Sequence, residues 1–512
     1  MQPMLPPPVL IASNPQDTII VSNGATSETL QLQTSATNLT PVLGGYMDGA
    51  EPQGKVFYLE GGKTYFLREN QDIKKGFTLK TNPEDLAAGK GRAKVCMGGL
   101  TQQGNSVLAC IFMLGRQPLD TEGSGLATLL KLDDVVFENV DFDCPLAQNY
   151  GDQKQETGHA TGNYFINEYS NHVRLAVKNF TLRDCSFQRF VRGFFRTQGS
   201  YPTFIENLTI EGCDFYNCGY FDANGGGYSF VFSSPNETDS NLFRHLVLRD
   251  NTFFDSSFGS LVTNNNRNLT WTDPDYKYDI TIENNTFVNF NAVSVKSPLL
   301  NFRYTPSGSR FTVRNNLFVL TKAVDDYRNL AFYGADIRYL QGACTDKAIF
   351  DFDNNWSTGD NLSNGQIFTT GEFCATRYSF GKWLNNSDVA EYPHGADELK
   401  VHVANISATE LMYQPNPPHK VDAEGTYTAD RHLTESIDGT GAVSANLYFK
   451  NFDNDIVKNN VGASKWRIKQ ETGITSVNVS QAKDGTVYNL AGQRIAEPVH
   501  GVYIKNGRKY VK

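Results

Sequence analysis

Arginines at 196 and 303, amides at 198, 265 and 301 and aromatics at 232 and 333 fall in five short β-rich stretches: Arg192–Gly199, Tyr228–Pro235, Gly259–Asn266, Ser297–Tyr304 and Asn329–Asp336. Set side by side without gaps, the stretches share one apolar position, held by Phe195, Val231, Val262, Leu300 and Phe332. That file must face a core. Alternation along a strand then turns two other files outward. One reads Arg196, Phe232, Thr263, Asn301, Tyr333; the other reads Gln198, Ser234, Asn265, Arg303, Ala335. Such a face has a definite chemistry. A guanidinium fork matches a carboxylate, and sugar rings lie against aromatic faces. The opposite register buries Arg196, Asn265 and Arg303, which is expensive without partners. One tension remains, because Phe194, Phe230, Leu261 and Leu299 then also turn outward.

The elements that must position these residues are set by a repeat. Tyr278-Asp279-Ile280-Thr281-Ile282-Glu283-Asn284-Asn285-Thr286-Phe287 is a short alternating strand, two asparagines and a phenylalanine. Related copies end at Phe142, Phe187, Phe215, Phe253, Phe318 and, in degenerate form, Ser357. The spacings between successive copies are 45, 28, 38, 34, 31 and 39 residues. Each copy buries one face, and the asparagine pair supplies a bend, since asparagine tolerates the left-handed backbone. A fixed core with variable spacing is the pattern of a solenoid of stacked coils. Coils of this size with three short strands make a parallel β-helix. Stacking predicts an asparagine file, Asn251, Asn285, Asn316 and Asn355, preceded by Cys185 and Cys213 at the same position.

The 512 residues carry 55 acidic and 46 basic groups, a net charge of −9, which argues against nucleic acid as a partner. No apolar run is long enough for a membrane-spanning helix. The eight cysteines form no Cys-x-x-Cys pair and read as buried thiols. The histidines show no metal spacing; His172 and His245 precede coil strands and read as structural. Asp222, Asp255, Asp325 and Asp326 precede the five stretches and read as turn formers before calcium ligands. No cofactor is expected, with calcium the one ion to test.

Four regions follow. Residues 1–50 are an N-terminal cap with strands near Thr18–Val21 and Thr29–Leu32. Residues 51–375 are the β-helix, opening with incomplete coils and regular from about 105 to 360. Residues 376–470 are a loop-rich cap over the open strand edges. Residues 471–512 form a small β unit, with strands at Ile474–Val479, Gly485–Leu490, Gly501–Ile504 and Lys509–Val511, joined through Gln470-Glu471-Thr472-Gly473.

On these residues the coils resemble the right-handed parallel β-helix of the pectin lyase-like superfamily. The stretches Gly61-Gly62-Lys63-Thr64-Tyr65 and Val461-Gly462-Ala463-Ser464-Lys465-Trp466 resemble pectate-lyase-like Bacteroidetes proteins of polysaccharide-utilisation systems. Val487-Tyr488-Asn489-Leu490-Ala491-Gly492-Gln493-Arg494, followed by Gly501-Val502-Tyr503-Ile504, is similar to a C-terminal β domain of secreted proteins from such bacteria.

The resemblance implies that substrates lie on the sheet carrying the five stretches. It implies a polysaccharide lyase acting on an acidic glycan by β-elimination, with Arg303, Arg196 and Lys296 supplying cation and base. Asn265, Asn301, Gln198, Phe232 and Tyr333 would bind the sugars. A non-catalytic glycan-binding surface protein is the alternative, and the face lacks the clustered acids of calcium lyases and of hydrolases. Met1–Pro8 does not read as a signal peptide. The expectation is therefore an extracytoplasmic monomer whose signal is absent from this chain.

Overall fold

The structure is a computed structural model. It describes residues 7–12, 17–22, 29–67, 69–97, 99–100, 107–108, 112–114, 129–144, 164–168, 174–188, 190, 193–197, 203–216, 218–219, 229–233, 243–254, 256, 258, 260–264, 277–288, 290, 299–305, 308–319, 335–339, 348–358, 390–391, 402–404, 411–414, 446–449, 461–466, 487–489, 494–495, 502–505 and 508–511.

Among the described residues, three long sheets of 11, 12 and 8 strands run along the molecule. Successive strands of each sheet come from successive coils, and their pairing is parallel apart from one N-terminal hairpin. The protein is a parallel β-helix. One coil shows the plan: Phe243–Arg249 lies in the first sheet, Thr252–Phe254 in the second and Val262–Asn264 in the third. Coils are complete from Lys55–Leu59 onward, earlier than the sequence pattern indicates. The early coils lack the asparagine pair. In the second of them a short helix, Pro83–Ala87, carries the chain from the first sheet to the second.

The bend between the first two sheets fixes the coil. Asn139, Asp184, Asp250, Asn284, Asn315 and Asn354 hold φ between 49° and 56°, with Gly212 at 66° in the same file. Asparagine, aspartate and glycine are the residues that enter this region at least cost. The next residue turns inward. From Asn251 on it is an asparagine whose amide joins neighbouring coils. Asn285 Nδ2 donates to Leu248 O at 2.9 Å and to Asn316 Oδ1 at 3.0 Å. Its Oδ1 accepts from the backbone N–H and the Nδ2 of Asn251, both at 3.0 Å. The file ends on Asn355, whose Oδ1 accepts from Asn316. Cys185 and Cys213 continue the file as buried free thiols in adjacent coils.

Two residues further on, Phe142, Phe187, Phe215, Phe253, Phe287 and Phe318 form one stack, with ring centroids 4.6–5.4 Å apart and planes within 13° of parallel. The coil repeat of about 4.8 Å sets that spacing. On the solvent side of the first sheet, opposite charges alternate from coil to coil. Lys80, Glu138, Arg183, Glu211, Arg249, Glu283 and Arg314 are register partners. Successive members lie 2.6–3.9 Å apart. A slip by one coil sets like charges against each other, so the ladder specifies register more than it adds stability.

The N-terminal end is covered. Val9–Ile11 pairs with Lys55–Leu59, and the hairpin Asp17–Ser22/Thr29–Asn38 and helix Thr40–Asp48 cap the first coil. The helix is absent from the sequence reading. Toward the other end, an antiparallel pair, Leu411–Gln414 with Asn446–Phe449, lies in the region expected to be loops. The chain divides into compact units Met1–Arg467 and Ile468–Lys512. The second is a four-stranded antiparallel sheet of Arg494–Ile495, Val487–Asn489, Val502–Lys505 and Arg508–Val511. The strand expected at Ile474–Val479 and the link at 470–473 lie outside the described residues. Among the described residues no helix is long and apolar enough to cross a membrane.

Asn285→Ala removes four hydrogen bonds and leaves buried Leu248 O, Asn251 N–H and Asn316 Oδ1 short of a partner. The expected loss is about 3–5 kcal/mol in denaturant unfolding, at roughly 1–3 kcal/mol per unsatisfied group without full additivity. A second test uses pH. Burial, with Cys185 alongside, pushes the Cys213 thiol well up. The unfolded thiol ionises near about 8.5. Above that pH the unfolded chain binds fewer protons than the fold, so stability falls as pH rises. The unfolding midpoint of the wild type should drop more steeply from pH 8 to 9.5 than that of Cys213→Val, valine being the residue at Val140 in the same file.

Candidate functional site

The third sheet is made of three- to six-residue strands. In order they are Gln71–Ile73, Phe112–Leu114, Ile166–Glu168, Phe195–Thr197, Val231–Ser233, Val262–Asn264, Leu300–Thr305 and Ala335–Tyr339. Strands this short turn one side-chain file away from the core. Register partners define it as Asp72, Met113, Asn167, Arg196, Phe232, Thr263, Asn301 and Asp336. The flanking file, Phe112, Ile166, Phe195, Val231, Val262 and Leu300, is in the core.

The tension at Phe194 resolves in the bend before the strand. Phe194, Phe230, Leu261 and Leu299 are fully buried too. Phe194 N–H and Phe195 N–H both donate to Phe230 O, so the chain turns between two consecutive inward residues. Rings of Phe165, Phe194 and Phe230 stack face to face there. Strict alternation begins only after that corner.

The position before this corner is small in three successive coils. Gly193, Ser229 and Ser260 occupy it, and Gly193 lies against the ring of Tyr164, the residue at this position in the coil before. A Cβ on Gly193 would lie 2.4 Å from Tyr164 Cε1, so only glycine admits the ring. The Arg196 guanidinium lies over that ring, 5.0 Å from its centroid. Such a contact fixes a cation while leaving its N–H groups for other acceptors. Ser229 Oγ donates to Thr263 Oγ1 at 2.7 Å and ties the corner to the outer file.

Asn167 Oδ1, Arg196 Nε and Asn301 Oδ1 on the file are buried and make no hydrogen bond among the described residues. Asn167 is only 9 % exposed, and its amide nitrogen has Met113 Sδ at 4.0 Å. Buried polar groups are nearly always paired. A row of unspent donors and acceptors is what a polar ligand would complete. Asn167 lies one coil before Arg196 on this file and Asn301 three coils after it.

The predicted residues fall as follows. Arg196, Phe232 and Asn301 share the outer file with Thr263. The place assigned to Tyr333 belongs to Asp336, and that of Phe332 to Ala335. The connection before this strand is three residues longer than an ungapped comparison allows. Ala335 therefore leaves the second outer file. Arg303 sits in the strand Leu300–Thr305, just where the register slips from Phe302 opposite Ile337 to Thr305 opposite Tyr339. Its side chain, and the residues Gln198, Asn265, Lys296 and Tyr333, lie outside the described residues, as do Asp222, Asp255, Asp325 and Asp326. Sequence reasoning missed Tyr164, Asn167 and Gly193. Tyr164 and Asn167 lie one coil before the first of the five stretches compared, and Gly193 lies inside it.

Among the described residues no three His, Cys, Asp or Glu side chains gather as metal ligands. No family model, no curated protein sequence and no solved structure matches the chain.

Gly193→Ala should displace Tyr164 and cost about 1–3 kcal/mol, the range for overpacking. Ser229→Ala, which removes one donor to Thr263, should cost about 0.5–1.5 kcal/mol. Denaturant unfolding of the two variants measures the order. A smaller loss for Gly193→Ala would remove Tyr164 from the corner.

Proposed function

We propose that the protein is a carbohydrate-active protein that engages an acidic polysaccharide along the outer file of the third sheet, and that it acts there as a lyase. The observation carrying the reading is the buried, unspent Arg196 Nε on the Tyr164 ring, between register neighbours Asn167 and Phe232. A fixed guanidinium receives a uronate carboxylate, Phe232 offers a face to a sugar ring, and Asn167 and Asn301 accept from hydroxyls. The resemblance to pectin lyase-like β-helix proteins and to secreted Bacteroidetes domains supports the same reading and an extracytoplasmic setting.

In the elimination, a base takes the proton on the carbon beside the carboxylate. The carbon–oxygen bond to the leaving sugar breaks as the double bond forms, and the leaving oxygen gains a proton. The enolate that develops needs a cation. Arg196 and Arg303 take the cation role and Lys296 the base role. A binding-only surface protein is the second reading. It is favoured by the same ring contact, which holds Arg196 as a charged recognition group and not as a proton carrier.

The test is a panel of polygalacturonate, rhamnogalacturonan, alginate and chondroitin, each with and without calcium. Release of unsaturated uronates is followed by absorbance and binding by calorimetry. One glycan should bind the wild type. Arg196→Ala should weaken it by about 1.5–3 kcal/mol, as for a charge-assisted hydrogen bond, with a larger loss at low salt. Turnover that vanishes in Arg303→Ala or Lys296→Ala supports the lyase, and binding with no turnover supports the second reading. Wild-type affinity in Arg196→Ala would sink both.

A further inference from the structure

The segment Val461–Trp466 lies far along the chain from the coils it touches. Gly462 N–H donates to Asn315 O at 2.8 Å. Ala463 N–H donates to Thr286 Oγ1 at 2.8 Å. Ser464 gives two bonds to one carboxylate, N–H to Asp250 Oδ1 at 2.7 Å and hydroxyl to Asp250 Oδ2 at 2.9 Å. Lys465 Nζ pairs with Asp214.

Asn315, Thr286, Asp250 and Asp214 all lie at the bend between the first and second sheets, in four consecutive coils. The segment therefore crosses the coils at the asparagine corner, one coil per residue, running back toward the N-terminal end. It is seated closely. Val461 and Ala463 are buried. Gly462 has φ +78°, and a Cβ there would lie 2.7 Å from Thr286 Oγ1 and 3.2 Å from Leu317 Cβ.

Two physical consequences follow. First, the side-chain partners are 177, 214 and 251 residues apart in sequence. Closing such separations carries a large entropic cost unless the coils have already brought the chain together. Second, the docking surface belongs to no single coil. A backbone carbonyl, a hydroxyl and two carboxylates from four coils line up only when those coils are stacked in the native register. A slip by one coil sets Ser464 against Asn284 or Gly212, and Lys465 against Thr252 or Ser186, none of which is a carboxylate.

We propose that Val461–Trp466 is a latch that reads the register of four coils and closes last, holding their bends against local opening. It is separate from the face proposed to bind glycan. Its contacts lie on the corner between the other two sheets.

The test is hydrogen exchange and thermal unfolding of the full-length protein with Gly462→Val and, separately, Ser464→Ala. In Gly462→Val the amides of Gly462, Ala463 and Ser464 should lose protection. Those of Thr252, Thr286 and Leu317 beneath should exchange about tenfold faster or more, as expected when local opening becomes cheaper. Leu79 and Phe137, in distant coils, should be unchanged, and the main unfolding transition should remain. Ser464→Ala should give the same pattern in weaker form. Unchanged exchange at Ala463 and Thr286 in both variants would overturn the latch. So would loss of protection throughout the β-helix in Ser464→Ala, because the segment would then be an integral part of the core.

Discussion

A buried side-chain amide that bonds to the coil on either side is the interaction on which the stack depends. In the low-dielectric corner each asparagine must spend its groups on neighbours, and stacking in register is the arrangement that satisfies them. Asn251, Asn285 and Asn316 each donate to a backbone carbonyl of the preceding coil and to the next asparagine oxygen. The left-handed residue just before each one aims the amide inward. Where the file changes to Cys213, a backbone N–H still donates to Asn251 Oδ1 at 3.0 Å. The network thus ends on a satisfied group at its thiol end, and the Cys213 and Cys185 thiols donate to the carbonyls of Glu211 and Arg183 in their own coils.

With the corner set, the other files have no freedom. The phenylalanine stack beside it repeats at the coil spacing because each ring hangs from the same bend. The charge ladder of the first sheet and the outer file of the third are then aligned by the same register. This alignment puts Arg196 next to Asn167 and Phe232 and gives a continuous line of functional groups without any long strand. The first sheet shows the contrast. Its outer charges neutralise one another from coil to coil, whereas Arg196 Nε and the amide oxygens of Asn167 and Asn301 on the third sheet make no hydrogen bond among the described residues.

Much of this was legible in the sequence, for reasons that lie in the corner. Asn-Asn or Asp-Asn before an inward phenylalanine is a rigid local pattern, so the coils, the asparagine file and the Cys185–Cys213 adjacency could be read directly. The strands of the third sheet were harder, because three residues carry little periodicity and a two-residue inward corner breaks alternation. That is why Phe194 seemed misplaced and why Asp336, not Tyr333, follows Asn301. Helix Thr40–Asp48 has no strong amphipathic pattern and draws its stability from docking Leu43, Tyr46 and Met47 on the first coil. Tyr164 and Asn167 were invisible because their strand follows a long stretch without repeat features.

The most direct measurement of the central claim is a crystal structure of the protein with a short uronate oligomer bound. The account places a uronate carboxylate about 2.7–2.9 Å from the Arg196 guanidinium, the distance of a charge-assisted hydrogen bond, with the chain running along Asn167, Phe232 and Asn301. An oligomer seated on the charged face of the first sheet, or on the asparagine corner, would contradict it.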